Sequence, residues 1–214
     1  MFKIECLSDI QKSYLCNMKI YFINGTEAFD DKFIEECSTF FPQWRKDKML
    51  SYKFLNGKVQ NALAYLLLLY ALREEGIFTE MPEFCYGEHN KPYLKNYPDW
   101  HFNFSHCKNA VCCVLSKEEV GIDIEEVNLY KENLAAYISN EKELDFLHKS
   151  ENPADDFFRL WTQKEAAFKM LGSGITKEIK DILNNSDIIV KSHRINNLWI
   201  SISYRKPTNI QNHE

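Results

Sequence analysis

The sequence predicts an α/β fold of the α+β type with two halves of similar size, and two observations support this class. Several short segments alternate apolar and polar residues, as half-buried strands do. Two longer segments carry apolar residues at the spacing of an amphipathic helix. Strands and a long helix are followed by strands and a long helix again. We therefore expect an N-terminal lobe of residues 1–117 and a C-terminal lobe of residues 118–214.

The individual elements follow from these patterns and from the turn residues between them. The predicted strands are residues 19–24, 100–105, 110–116, 120–125, 188–193 and 198–204, of which the last two form a hairpin around Asn196-Asn197. The predicted helices are residues 30–40, 58–75, the region 130–149 and 155–171. Gly76 and the turn Gly172-Ser173-Gly174 are natural ends for the two long helices. Residues 81–99 are rich in Pro and Asn and are predicted to be a loop.

Composition and charge exclude several classes of function. The net charge is −5, whereas a general nucleic-acid binder carries a basic surface. The longest apolar run, Ala62 to Leu72, has eleven residues, and a membrane-spanning helix needs about 20. Residues 1–20 mix charged and apolar side chains and show no signal-peptide core. The sequence therefore predicts a cytoplasmic protein that binds neither nucleic acid nor membrane.

The seven cysteines predict free thiols in a reducing compartment, because their number is odd and no signal peptide is evident. No Cys-x-x-Cys pair is present, which argues against zinc ligation. Cys112 and Cys113 lie in an apolar strand-like run and are expected to be small buried hydrophobic residues, whereas Cys16 lies in the mixed N-terminal region.

The segment 121–125, Gly-Ile-Asp-Ile-Glu, places two carboxylates close together. Side chains two residues apart on a strand point to the same face, so Asp123 and Glu125 are expected side by side, with Ile122 and Ile124 in a core. Like charges on one face repel unless a cation lies between them. Mg²⁺ prefers oxygen ligands of this kind. Taken alone, the alternation is more typical of an ordinary strand whose polar face lies in water.

A second polar constellation lies in residues 161–169, Trp-Thr-Gln-Lys-Glu-Ala-Ala-Phe-Lys. On a helix, Glu165 and Lys169 are four residues apart and share a face with Trp161. In isolation such a pair is more often solvated, and it contributes a few tenths of a kcal/mol.

The two segments together resemble the two-part signature of the 4′-phosphopantetheinyl transferase family, which is Gly-Ile-Asp-x-Glu and then Trp-Thr-x-Lys-Glu-Ala-x-x-Lys about forty residues later. Asp123 and Glu165 are 165 − 123 = 42 positions apart. Residues 103–106, Asn-Phe-Ser-His, resemble the family's Asn-x-Ser-His segment. Residues 87–93 resemble its Gly-Lys-Pro-Tyr loop, with extra residues between Gly87 and Lys91. The resemblance spans residues 40 to about 175.

This resemblance implies an enzyme that moves the phosphopantetheine arm of coenzyme A onto a serine of an apo acyl or peptidyl carrier protein. It also implies the larger, two-lobed, monomeric branch of the family. In that branch two pseudo-symmetric subdomains each pack a small antiparallel-rich sheet on a long helix, and the active site lies in the cleft between them. The nucleophile belongs to the carrier protein, so no catalytic serine is expected in this chain.

By the same resemblance, Asp123, Glu125 and Glu165 hold Mg²⁺, and Asp123, Glu165 and Lys169 carry the catalysis. Lys169 offsets charge on the pyrophosphate, which suits phosphoryl transfer because that reaction depends on positioning and charge stabilisation. Glu165 is either the general base for the carrier serine or only a metal ligand. The pattern does not distinguish Mg²⁺ from Mn²⁺, which has similar oxygen preferences.

The resemblance also implies a set of coenzyme A contacts. Lys91 and Pro92 line the adenine pocket, Ser105 and His106 contact phosphate, and Lys169 with the pair Arg45 and Lys48 completes the phosphate-binding residues. Each assignment has an ordinary alternative. His106 can be a strand-end histidine bonded to backbone, and residues 45–48 can be a solvated charged turn.

Two further residues and one region have expected places near the site. Gln60 stands where the family usually has an arginine, which weakens the expected phosphate contact unless Lys58 substitutes as a point charge. Lys164 is about 100° round the helix from Glu165 and is placed at the cleft edge. The region 134–146, including Tyr137, Ile138, Leu144 and Phe146, is the expected surface for the carrier protein or else core.

Two other functions stay open at this point. The same carboxylates can serve a Mg²⁺-dependent phosphohydrolase that acts on coenzyme A-like pyrophosphates. The chain can also be a non-catalytic module that binds coenzyme A or a carrier protein. The sequence does not choose between fatty-acid, polyketide, nonribosomal-peptide and amino-acid-reductase carriers.

Overall fold

A computed structural model describes residues 5–6, 18–172 and 177–207. The expectations for Cys16 and for the turn residues Ser173 and Gly174 lie outside the described residues. Within the described residues the strands are β1 (Glu5–Cys6), β2 (Lys19–Asn24), β3 (Phe84–Tyr86), β4 (Pro92–Leu94), β5 (His101–His106), β6 (Ala110–Ser116), β7 (Val120–Glu126), β8 (Ile188–Ile195) and β9 (Leu198–Arg205). The helices are α1 (Asp31–Phe40), α2 (Gln43–Leu50), α3 (Leu55–Glu74), α4 (Glu132–Ile138), α5 (Glu141–Lys149) and α6 (Pro153–Leu171).

The strands form two main antiparallel sheets and one small hairpin. The first sheet has the order β1-β2-β6-β5, and the second has the order β7-β9-β8. Strands β3 and β4 pair only with each other, with Cys85 opposite Tyr93. The α+β class predicted from the sequence is therefore confirmed, because every strand pair is antiparallel and the helices pack against the sheets.

Each main sheet packs on one long helix. Helix α3 buries Leu67, Leu68 and neighbouring residues against one face of the first sheet. The opposite face of that sheet packs against the second sheet, where Cys112 of β6 lies in one cluster with Ile122 of β7 and Ile200 of β9. Helix α6 covers the outer face of the second sheet. The long-helix-on-sheet arrangement expected of both halves is thus present, whereas the boundary at residues 117/118 stays a prediction.

The local chemistry of helix α6 explains its bounds. The Asn152 side chain accepts the amide of Asp155 as a cap, and Pro153 occupies the first turn, where its missing N–H is not needed. Gly172 ends the helix in the left-handed conformation, with φ of 70°. The glycine after Leu171 therefore stops the helix as the sequence predicts.

The structure adds helix α2 and strands β1, β3 and β4, which the sequence patterns did not indicate. Residues 43–50 form α2, although their charged composition gives no clear apolar stripe. Residues 81–99, predicted to be a loop, contain the β3–β4 hairpin. These strands have three residues each, which is too short for a period-two pattern to be recognised. The region predicted as helical over 130–149 is two helices, α4 and α5, separated at Ser139-Asn140.

Within the part of the chain that the structure describes, no helix has both the length and the hydrophobicity needed to span a membrane.

Candidate active site

Strand β7 presents its carboxylates to helix α6. Ile122 and Ile124 are fully buried between the two sheets, as predicted, so Asp123 points the opposite way, toward α6. Gly121 allows this close approach, since a Cβ there would overlap the Ala166 carbonyl oxygen and the Met170 amide of α6. The glycine of the Gly-Ile-Asp segment is therefore required by strand–helix packing.

Asp123, Ser105 and Lys169 form one hydrogen-bonded cluster. The Lys169 ammonium donates to Asp123 Oδ1 at 2.6 Å and to the Ser105 hydroxyl oxygen at 2.8 Å. The Ser105 hydroxyl donates to the same Asp123 oxygen at 2.7 Å. Asp123 is 4% exposed, and a carboxylate this buried needs such partners. The cluster joins β5, β7 and α6 at one point.

Strand β5 is joined to β7 through side chains. Asn103 Oδ1 accepts the amide of Ile122 at 3.1 Å, and the Ser105 hydroxyl oxygen accepts the amide of Ile124 at 3.4 Å. These two side chains satisfy backbone donors on the edge of β7 that does not face β9. The role of Asn103 was missed in the sequence, although its two-residue spacing from Ser105 places both on one face of a strand.

The other two carboxylates lie in the electrostatic field of Asp123. Burial, followed by the charge of Asp123, raises the pKa of Glu125 to about 7, and the indole of Trp161 and the ammonium of Lys169 oppose that shift. Burial and then the charge of Asp123 also raise the pKa of Glu165, while Lys169 lowers it. The three acidic groups therefore interact with one another and with a single lysine.

A metal ion fits the chemistry of this cluster, but the side chains are not arranged as a finished site. Asp123 Oδ2 is buried and has no hydrogen-bond partner among the described residues, which is costly for an anionic oxygen unless a cation contacts it. Three carboxylates face one ammonium, so negative charge is in excess. Over residues 5–6, 18–172 and 177–207, however, no group of three or more His, Cys, Asp or Glu side chains is placed to hold a metal ion.

A groove beside the cluster offers space for a substrate. Its empty volume is about 690 Å³. It is lined by the loop before β4, by β5 and by α6, through His89, Asn90, Lys91, Pro92, Asn103, Phe104, Glu165, Phe168, Lys169 and Gly172. Four of the predicted site residues, Lys91, Pro92, Glu165 and Lys169, are thus brought to a single groove.

Lys91 bridges the hairpin to the end of α6. Its ammonium donates to the Met170 carbonyl oxygen, and its stem packs where a Cβ on Gly172 would lie. Burial lowers the pKa of Lys91, while the charge of Glu119 opposes that shift. A cation at a helix C-terminus also interacts favourably with the helix dipole.

Asn90 accounts for the irregular spacing before Lys91. His89 and Asn90 have φ of 55° and 61°, a backbone region that glycine enters freely and asparagine tolerates. Asn90 directly precedes Lys91-Pro92 and has the conformation that a glycine would give. The Gly-Lys-Pro-Tyr resemblance is therefore met by an asparagine in place of glycine, and no extra residues need to be assumed.

His106 is exposed at the end of β5, beside the cluster. Desolvation by neighbouring atoms and then the charge of Lys169 lower its pKa. The turn that follows is held by Gln60, whose amide donates to the Cys107 carbonyl at 2.6 Å and to the Lys108 carbonyl at 3.3 Å. Gln60 therefore supports the backbone next to His106 instead of presenting a charge.

Arg45 and Lys48 lie on helix α2 and occupy different environments. Arg45 is 4% exposed; its guanidinium donates to the Asn61 carbonyl oxygen and lies over the Tyr65 ring, 4.9 Å from the centroid. Burial lowers its pKa to about 10. Lys48 is exposed. Residues 45–48 are therefore not a solvated turn, and only Lys48 is freely accessible to a ligand.

One expectation near the site is corrected, and one that had two alternatives divides between them. Lys164 is fully buried, not at the cleft edge: its ammonium bonds Glu143 Oε2 and the carbonyls of Ile179 and Lys180, each at 2.8 Å. Lys164 is about 100° round helix α6 from Glu165, and it therefore lies on the face of α6 that packs against α5. Within the expected carrier surface, Ile138 is fully buried, whereas Tyr137 and Phe146 are 61% and 50% exposed.

Comparisons with known proteins show the family of this chain. A sequence model described as the 4′-phosphopantetheinyl transferase superfamily matches residues 119–210. The 4′-phosphopantetheinyl transferase psf-1 of Bacillus pumilus is 30% identical over 171 residues, which cover 74% of this chain and 71% of that protein. The 4′-phosphopantetheinyl transferase AcpT of Escherichia coli (strain K12) is 31% identical over 135 residues, covering 59% of this chain and 68% of that protein.

A third relative, the 4′-phosphopantetheinyl transferase Sfp of Bacillus subtilis (strain 168), is 26% identical over 162 residues, which cover 74% of this chain and 72% of that protein. The chain belongs to the 4′-phosphopantetheinyl transferase superfamily. Its relatives over most of the chain include proteins named Sfp and psf-1, which supports the resemblance to the larger branch.

Proposed function

We propose that this chain transfers the 4′-phosphopantetheine group of coenzyme A to a serine hydroxyl of an apo acyl or peptidyl carrier protein, with Mg²⁺, and releases adenosine 3′,5′-bisphosphate. The observation that carries the proposal is the cluster of Asp123, Ser105 and Lys169 beside a groove. Asp123 and Lys169 of that cluster come from the two segments, 121–125 and 161–169, that resemble the signature of the superfamily, and Ser105 comes from residues 103–106.

Asp123, Glu125 and Glu165 are the proposed metal ligands. Their chemistry suits the ion, because all three supply oxygen and Asp123 Oδ2 is a buried acceptor without a donor among the described residues. When bound, Mg²⁺ offsets negative charge on the pyrophosphate and makes its β-phosphorus more electrophilic. Lys169 holds the Asp123 carboxylate in place through its hydrogen bond to the other oxygen.

Lys169 is also the proposed cationic contact for the pyrophosphate. An ammonium has three N–H donors, and two of them are used by Asp123 and Ser105. Its side chain remains 29% exposed and lines the groove. Among the described residues no acceptor takes the third donor, so we propose that it bonds a phosphate oxygen and stabilises the charge that builds on the leaving group.

Glu165 is the proposed base for the carrier serine. It lines the groove, where its carboxylate can accept a proton from a bound serine hydroxyl directly or through a water molecule. In the reaction the serine oxygen bonds to the β-phosphorus of coenzyme A and its proton passes to Glu165. The bond from that phosphorus to the leaving adenosine bisphosphate breaks.

The nucleotide end of coenzyme A is proposed to lie toward the N-terminal half. Lys91 and Pro92 line the groove beside Lys169, and exposed His106 and Lys48 can reach the 3′-phosphate. Arg45 is kept as a contact for that phosphate, because a buried guanidinium whose only hydrogen-bond acceptor here is the Asn61 carbonyl benefits from an anion. A monomeric state and a cytoplasmic location also remain predictions.

The decisive experiment measures the product on an intact carrier. The purified protein is incubated with MgCl₂, coenzyme A and an apo carrier protein, and the carrier is then weighed by mass spectrometry. A gain equal to one phosphopantetheine group supports the transferase. Samples with EDTA and samples lacking coenzyme A serve as controls and must show no gain.

The same experiment separates the two alternatives. Release of phosphopantetheine or phosphate without a carrier is the result expected of a phosphohydrolase. Coenzyme A binding without any product is the result expected of a non-catalytic module. No mass gain across acyl, peptidyl and aryl carriers would contradict the proposed function.

A further inference from the structure

We infer that Ser105 is a positioning residue that fixes the Asp123 carboxylate so that one chosen oxygen, Oδ2, faces the divalent ion. This differs from the direct phosphate contact that the family resemblance implies for the same hydroxyl. The inference rests on the proposed function, because it concerns how this chain presents its metal ligand.

The hydrogen-bonding capacity of the Ser105 hydroxyl is fully used within the protein. A serine hydroxyl has one donor and two acceptor positions. The donor goes to Asp123 Oδ1 at 2.7 Å, and the acceptors take the Lys169 ammonium at 2.8 Å and the Ile124 amide at 3.4 Å. A phosphate oxygen could bond this hydroxyl only after the bond to Asp123 was broken.

The two oxygens of Asp123 are consequently unequal. Oδ1 receives two hydrogen bonds, from Ser105 and Lys169, whereas buried Oδ2 receives none from the described residues. Lys169 alone would not define this arrangement, because a flexible lysine can follow either oxygen as the carboxylate rotates. Ser105 has a short side chain on a paired strand, so it fixes which oxygen is engaged.

Backbone hydrogen bonds of two strands position the Ser105 hydroxyl within reach of the Asp123 carboxylate. Asn103 and Ser105 bond to the amides of Ile122 and Ile124, which flank Asp123 on β7. Strand β5 is itself held by its pairing with β6, with Ser105 opposite Cys112. The distance from the hydroxyl to Asp123 is therefore set by two strands and does not depend on a loop.

The neighbouring His106 keeps the substrate-facing role. It is exposed, unlike Ser105, which is 5% exposed. Successive residues of a strand point to opposite faces. Ser105 and His106 therefore have different roles. Ser105 positions the metal ligand Asp123 inside the protein, and His106 is accessible to coenzyme A.

The test compares Ser105→Ala with the parent in two binding measurements that need no turnover. Affinity for Mn²⁺ alone is measured by electron paramagnetic resonance, and affinity for coenzyme A is measured by calorimetry in EDTA. Ser116→Ala is the matched control, because Ser116 is a buried strand serine whose hydroxyl oxygen accepts a backbone amide, that of Glu118, at 2.9 Å.

We expect Ser105→Ala to weaken Mn²⁺ binding by about tenfold or more, as loss of a group that orients a ligand typically does. Its affinity for coenzyme A in EDTA should stay within about twofold of the parent, since no phosphate contact is lost. Ser116→Ala should change neither affinity. Thermal unfolding of all three proteins establishes that they are folded.

Two outcomes overturn the inference. If coenzyme A binding in EDTA weakens tenfold while Mn²⁺ binding is unchanged, Ser105 is a phosphate contact. If neither affinity changes, Ser105 has no role at the site. Failure of the parent protein itself to bind Mn²⁺ would instead contradict the proposed metal-dependent function. The parent protein therefore tests the proposed function, and the Ser105→Ala variant tests the positioning role of Ser105.

Discussion

Two regions differ in how their predicted site residues are held: the face between β7 and α6, and the N-terminal region that is the proposed coenzyme A end. On the β7–α6 face, Asp123 and Lys169 contact each other directly and share Ser105 as a partner. At the coenzyme A end, Arg45, Lys91 and His106 lie on different elements and no hydrogen bond joins them in the described structure.

This difference shows where the chemistry is preorganised in the free protein. The acidic cluster is fixed by two regular elements that Gly121 brings together, so its geometry exists before any ligand binds. The lysine and arginine at the other end bond protein carbonyls. If coenzyme A binds there as proposed, it competes with those bonds, and we expect each residue to contribute less net affinity than its charge suggests.

The largest effect is expected on the β7–α6 face. Asp123→Ala and Glu165→Gln should each reduce carrier modification by about a thousandfold or more, because each removes a charge aimed at the reacting group. Initial rates measured by mass spectrometry provide the test. Glu126→Gln is the matched control, since Glu126 is on the same strand, faces the opposite way, and has Asn197, at 3.4 Å, as its hydrogen-bond partner among the described residues.

Circular dichroism distinguishes a catalytic role from a structural one in these variants. If Asp123→Ala and Glu165→Gln lose the native spectrum, the carboxylates hold the fold and the site assignment is wrong. A rate close to the parent in a folded variant would equally contradict it.

A smaller effect, on stability, is expected on the opposite side of α6. Lys164→Met should lower the free energy of unfolding by about 3 kcal/mol, because it leaves Glu143 and two backbone carbonyls without their buried cation. Lys149→Met is the control. Lys149 is 74% exposed and pairs with Asp145, and such pairs contribute about 0–1 kcal/mol.

Urea denaturation of both variants measures the difference. Equal free energies of unfolding for Lys164→Met and Lys149→Met would show that the buried ion pair adds nothing to stability. A loss confined to Lys164→Met would confirm that α6 is anchored to α5 through its buried face, so that the two lysines of the signature have separate tasks.

The sequence predicted the β7–α6 face well, because regular periodicity determines which side chains share a face. Asp123 and Ile122 lie on opposite faces of one strand, and Glu165 and Lys169 line one groove. The long helices and all six predicted strands begin and end within about three residues of their expected positions, and the largest strand difference is at 188–193, which is two residues longer.

Side-chain partners from distant segments could not be predicted in the same way. The burial of Lys164 depends on the carbonyls of Ile179 and Lys180, which no spacing rule connects to α6. The left-handed Asn90 and the bond from Lys91 to Met170 likewise depend on how the hairpin meets the helix. Tertiary contact, not local propensity, decides such residues.

The smallest effect is expected at the coenzyme A end. Lys48→Ala should weaken coenzyme A binding by about twofold to fivefold, which is the loss of affinity expected when one exposed ion pair is removed. It should not change binding of 3′-dephospho-coenzyme A. Calorimetry with both ligands tests this, and Lys32→Ala on α1 controls for the loss of one exposed charge. An equal loss for both ligands would show that Lys48 acts on net charge alone. A selective loss would instead place the 3′-phosphate at α2, on the part of the site that the free protein leaves solvated.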